Sequence, residues 1–117
     1  MVVPLSARKC QPCEGGVKPF TPKQAKEYMK QVPGWKLDGK KITRQFVFKN
    51  FIDCIEFINR MAIIAEGEGH HTDFTVHYRK LDLELSTHAI GGLSENDFIL
   101  AAKISRLYEK FPGKASK

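Results

Sequence analysis

Residues 74–85 read Phe74-Thr-Val-His77-Tyr78-Arg-Lys-Leu81-Asp-Leu-Glu-Leu85, and their alternation decides the fold. Phe74, Val76 and Tyr78 occupy every second position, and Leu81, Leu83 and Leu85 do so again after Arg79-Lys80. A side-chain period of two belongs to a half-buried strand. The stretch therefore predicts a hairpin, with Arg79-Lys80 as a turn of the right length but poor turn chemistry. Asp82, Glu84 and Ser86 take the opposite, solvated face. Upstream, Trp35-Lys36-Leu37 and the run from Ile42 to Phe48 flank Asp38-Gly39, a dipeptide that favours the positive φ of a tight hairpin turn. Ile42, Phe46 and Phe48 share one face there, with Arg44 as a charged exception near an edge.

Helical spacing governs the segments around the hairpins. Thr21-Pro22 gives an N-cap followed by proline at the first helical position. Ala25, Tyr28, Met29 and Val32 follow, and Pro33-Gly34 is the stop. Asn50, with Asp53 three residues on, caps a second helix. Its main ridge is Phe51, Ile55, Ile58 and Ala62, broadened by Ile52, Cys54, Phe57 and Met61, and Gly67 and Gly69 end it. After Gly91-Gly92, Ser94 caps a third helix carrying Phe98, Ala101, Ala102, Ile104, Leu107 and Tyr108. The order α-β-β-α-β-β-α predicts an α+β fold: a four-stranded antiparallel sheet with three helices packed on one face. Residues 1–20, broken by Pro4, Pro12, Gly15, Gly16 and Pro19, are expected as an irregular arm. Residues 21–112 are expected as a single domain and 113–117 as a frayed tail.

A chain of 117 residues, 42% hydrophobic and 27% charged, has the make-up of one globular domain. No apolar run reaches the roughly 20 residues that span a bilayer, and the start lacks the apolar stretch of a secretory signal. A cytoplasmic protein with no membrane association is the expectation. The net charge of +6 is scattered, with no nucleic-acid recognition motif, so direct nucleic-acid binding is not expected. A solvated basic surface, or attraction for an anionic small molecule, explains the charge equally well. Three cysteines make a disulfide framework an unsuitable reading. Cys54 falls on a helical apolar stripe. Cys10-Gln-Pro-Cys13 has the spacing of a redox pair or half a zinc site, but no second pair follows. An arm laid against the domain is the alternative.

All four histidines, His70, His71, His77 and His88, fall between Glu66 and Asp97. His70-His71 lies between a helix end and a strand, and His88 follows a strand end. Histidines so placed serve either a metal or proton transfer. Adjacent residues such as His70 and His71 point different ways in extended chain, and HExxH spacing is absent, which disfavours a metal. General acid–base work by His70 and His88, with His71 holding a substrate, suits the spacing best. His77, isolated on a strand, reads as a surface residue. Glu66 either orients His70 or is a solvated helix-end residue. Asp97, three residues after Ser94, reads as half of a capping box, without excluding an orienting role.

The pattern Glu66-x3-His70-His71, Tyr78, Ser86-Thr87-His88, then Gly92-Leu93-Ser94-Glu95 and Asp97, resembles the pterin-4a-carbinolamine dehydratase family. With the elements from Thr21 onward, the resemblance covers about three quarters of the chain. It implies dehydration of 4a-hydroxytetrahydropterin to the quinonoid dihydropterin, in tetrahydropterin recycling, with no metal and no cofactor. It also implies His70 and His88 as acid–base catalysts and His71 as a pterin ligand. Thr72, Thr87, Ala89 and Ile90 would line the same pocket, Phe74 and Tyr78 would wall the flat ring, and Glu66 and Asp97 would support. Such proteins form homodimers or homotetramers. The chain departs from the pattern at Thr72, where the family usually has proline, which leaves His71 less restricted. The alternative expectation is an oligomeric protein-binding module with a relict pocket, motivated by Thr72 and the basic surface.

Overall fold

The computed structural model describes residues 4–10 and 18–115. Helix α1 spans Pro22–Met29 and opens with a capping box, in which the Thr21 hydroxyl accepts from the Gln24 amide at 3.2 Å and the Gln24 side chain accepts from the Thr21 amide at 2.9 Å. The helix ends before the expected Pro33-Gly34 stop. Residues 30–32 tighten into bonds three residues back, which carries Val32 into the core. Pro33 disfavours helical geometry at the residue before it, so the turn must come early.

Strands β1 (Lys36–Asp38), β2 (Lys41–Val47), β3 (Asp73–His77) and β4 (Lys80–Leu85) form an antiparallel sheet in the order β1-β2-β4-β3. Helices α2 (Phe51–Glu68) and α3 (Glu95–Lys110) complete the expected order, with short 3-10 turns at Leu5–Ala7 and His88–Ile90 added. Both hairpin turns sit one residue from their expected places. Asp38 pairs with Lys41, so the first turn is Gly39-Lys40, with Gly39 at φ 62°. His77 pairs with Lys80, so the second turn is Tyr78-Arg79, and Tyr78 leaves the strand for φ 56°.

Register places Ile42, Arg44 and Phe46 opposite Leu85, Leu83 and Leu81, which puts these six on one face. All but Arg44 are buried against Phe57, Met61, Phe98 and Ile104. Rings of Phe46, Phe48, Phe57, Tyr108 and Phe111 pack with centroids 4.8–5.9 Å apart. Arg44 fits this face because its guanidinium lies 4.5 Å from the Phe46 ring centroid and donates to Ser105 Oγ at 3.0 Å. The other face is polar, laced by Lys41–Glu84 at 2.7 Å and Gln45–Asp82 at 2.9 Å.

Helix α2 faces the sheet differently from the sequence expectation. Cys54, Phe57, Met61 and Ala65 are buried, whereas Phe51 and Ala62 are exposed and Ile55 and Ile58 half-buried. Its apolar residues wrap too much of the helix for one sheet to cover. Ile52 and Ile63 are left 70% and 75% exposed. Gly67 lies within the helix, and Gly69 alone caps it at φ 67°.

Within the expected tail, the described residues 113–115 hydrogen-bond to the sheet. Gly113 O accepts from Lys49 N at 2.9 Å, and Ala115 N donates to Val47 O at 3.0 Å. Strand β1 pairs only with residues 41–43, and the tail satisfies backbone groups farther along. Among the described residues no helix is long and apolar enough to cross a membrane.

Candidate active site

Three element ends converge where the histidines lie. The left-handed cap at Gly69 turns the chain out of α2, so that His70 and His71 lead into β3. Beyond β4, Thr87 N donates to Gly92 O at 2.8 Å, closing a loop that presents His88 and Ala89. Helix α3 starts beside both. Between them lies a cavity of about 390 Å³ lined by His70, His71, His88, Ser86, Thr87 and Ala89, and by Cys10, Glu68, Gly69 and Asn96. That is a usual size for a small-molecule site.

Asp97 organises the site. Its carboxylate is fully buried, and Oδ2 accepts from Ser94 N at 3.0 Å and Thr87 Oγ1 at 2.9 Å. Oδ1 lies 2.6 Å from His70 Nε2. Asp97 therefore caps α3 with one oxygen and orients a histidine with the other. An acceptor carboxylate assigns the His70 hydrogen to Nε2, leaving the Nδ1 lone pair free. Among the described residues nothing bonds to Nδ1, and no buried side-chain nitrogen or oxygen lacks a partner. Nδ1 therefore opens onto the cavity.

Glu66, one candidate for orienting His70, meets His71 instead, with Oε1 2.7 Å from Nε2 on an exposed surface. With His70 turned inward to Asp97, His71 takes the exposed rim of the cavity beside Glu66. His88 is exposed, with Nε2 3.3 Å from Asp73 Oδ2. His77 is also exposed, 3.9 Å from Asp82 and not on the cavity.

The cavity gathers His70, His71, His88, Thr87 and Ala89, but not every residue expected there. Thr72 follows His71 without lining it, Phe74 is half-exposed on edge strand β3, and Ile90 borders a different cavity with Phe20 and Leu93. Tyr78 is at the far turn, about 16 Å of extended chain from Asp73. Sequence reasoning missed Asp73, Glu68, Asn96 and the proximity of Cys10. Pairing of Asp73 with Glu84 sets the start of β3 beside the end of β4, and that register is the only signal for Asp73. Cys10 N donates to Glu68 Oε1 at 2.7 Å, across 58 residues. Burial, then the Glu68 charge, pushes the Cys10 thiol up to about 12, so it stays protonated at neutral pH. Cys13, its partner in the Cys-x-x-Cys reading, lies outside the described residues.

Comparison with known proteins places the chain in company. The family model described as pterin 4 alpha carbinolamine dehydratase matches residues 18–107. A Nitrosospira multiformis protein provisionally named pterin-4-alpha-carbinolamine dehydratase is 47% identical over 105 residues, 90% of this chain and 93% of its own. A Nitrosomonas europaea protein with the same provisional name is 48% identical over 109 residues, 92% and 96% of the two chains. The crystal structure of a transcriptional coactivator/pterin dehydratase from Brucella melitensis matches with a TM-score of 0.73 at 31% identity, over 78% of this chain and 99% of that one. A pterin dehydratase-like protein identified as a RuBisCO assembly factor of the alpha-carboxysome shares the fold, with a TM-score of 0.56 at 19% identity over 64% and 89%.

Proposed function

The chain belongs to the pterin 4 alpha carbinolamine dehydratase family, and we propose that it dehydrates a 4a-hydroxytetrahydropterin to the quinonoid dihydropterin and water. The observation that carries the reading is the His70–Asp97 pair, with Nδ1 open to a cavity that His71 and His88 also line. The reaction moves two protons. A base removes the N5 proton, the N–H electrons form the C4a=N5 bond, and the C4a–O bond breaks as an acid protonates the leaving hydroxyl. His70 serves as the base, because Nε2 is committed to Asp97 and Nδ1 is the available lone pair. Asp97, 2.6 Å away, compensates the charge that appears when the ring takes a proton. His88, exposed beside Asp73, delivers the second proton and recharges from solvent. His71 and Thr87 hold the ring system, in the cytoplasm, as part of tetrahydropterin recycling.

The test is decay of a freshly generated carbinolamine followed by absorbance. Wild-type protein should accelerate it, and His70→Ala plus His88→Ala should abolish that acceleration. Equal rates with wild-type protein and with buffer would sink the proposal.

The exposed Ile52 and Ile63 on α2 support self-association into a dimer or tetramer. They equally favour a second reading, a protein-binding module in the manner of the coactivator named for the Brucella structure. A stoichiometric partner held by a catalytically dead variant would support that reading.

A further inference from the structure

Residues 4–10 lie outside the segment matched by the family model, yet they reach the cavity. Four of them, Leu5, Ser6, Arg8 and Cys10, fix the arm through five contacts. Leu5 is buried in the core, and Lys103 Nζ donates to Ser6 O at 3.0 Å. Arg8 Nη1 donates at 3.1 Å to Glu95 Oε2, which also accepts from Tyr28 Oη at 2.7 Å. Cys10 donates through its amide to Glu68 and through Sγ to Asn96 O at 3.6 Å. Glu68 is in turn 3.7 Å from Lys103 Nζ. The arm thus ties the last turn of α2, which leads to His70, to the first turn of α3, which carries Asp97.

We propose that the docked arm is a wall of the active site, with Glu68 as the substrate-recognition residue, Cys10 as the residue that fixes Glu68 and Arg8 as the residue that positions the arm. This rests on the dehydratase reading of the cavity. The Cys10 amide and Lys103 fix the Glu68 carboxylate, which retains lone pairs beyond the one used by Cys10. A carboxylate held on a small-molecule cavity accepts N–H donors. The aminopyrimidinone edge of a pterin offers two side by side, its 2-amino group and N3–H. The wall therefore selects pterins by that edge, while the histidines act at C4a and N5.

Two measurements test this. In carbinolamine kinetics, Glu68→Gln and Arg8→Glu should each raise KM about tenfold with kcat changed less than about twofold, the signature of lost uniform binding. In a Cys13→Ser background, iodoacetamide labelling of Cys10 without ligand should speed up about tenfold on Arg8→Glu, since release of the arm exposes the thiol. In that background without Arg8→Glu, 7,8-dihydrobiopterin should slow it. Unchanged KM in both variants overturns the recognition role, and equal labelling rates overturn the docked wall. Absence of turnover alongside Arg8-dependent labelling overturns the dehydratase reading while supporting the docked wall.

Discussion

Asp97 accepts three contacts through two oxygens, and among the described residues no other acid in the site serves both a helix and a histidine. Asp97→Asn should keep most of the capping geometry but can turn an N–H toward His70, forcing the ring to the other tautomer. We expect kcat to fall on the order of a hundredfold or more, with a melting point only slightly lowered. Single-turnover kinetics beside thermal denaturation would separate the two effects. Glu66→Gln breaks only an exposed contact to His71, so its loss should stay within about fivefold and fall on KM. Cys10 predicts an alkaline effect. Its folded thiol keeps a proton up to about 12, whereas the unfolded chain releases it near 9.0. The stability contribution is therefore complete below pH 9.0 and is lost as pH rises from there toward about 12. Denaturant titrations at about pH 8 and about pH 10.5 should show a steeper loss for wild type than for Cys10→Ser; parallel losses would discard the assignment.

At the scale of elements, what is local was legible. Thr21, Asn50 and Ser94 announced their helices because a cap is read within four residues, and the leucine alternation announced β4. What depended on a partner was not. Each turn was misplaced by one residue, because register is set by the neighbouring strand. Tyr78 pays the consequence at φ 56°, a region unfavourable for an aromatic residue. Tyr78→Asn should stabilise the protein by about 0.5–1 kcal/mol, seen as a raised melting temperature. The face of α2 was ambiguous because apolar residues occupy more than one side, and only the sheet decides that Cys54, Phe57, Met61 and Ala65 turn inward. The same limit applied to the site. The three histidines were visible as a cluster, but the pairings His70–Asp97 and Cys10–Glu68 join residues 27 and 58 positions apart. Asp97 reads in the sequence chiefly as a cap because that role is local, and its orienting role, left open there, depends on the fold.

At the scale of the whole molecule, one helix carries two surfaces with different fates. The inner face of α2 holds the core: Phe57→Ala should cost about 3–5 kcal/mol, measured by chemical denaturation. The outer face, with Ile52 and Ile63, should hold subunits together. Ile52→Glu with Ile63→Glu should reduce the mass found by light scattering while leaving the circular dichroism spectrum intact; an unchanged mass would place assembly elsewhere. The strand edges set a further limit. The paired tail at 113–115 occupies backbone groups of residues 47 and 49, and β1 beside it is three residues long. Among the described residues that leaves β3 as the one long strand with an unpaired side. Growth into a fibril needs two adhesive edges per molecule, one to receive a copy and one to offer to the next. A chain with a single long open edge pairs once, about a twofold axis, and stops. Removing residues 113–117 would uncover a second edge, so the truncated protein should form thioflavin-positive aggregates under conditions where the full chain stays clear.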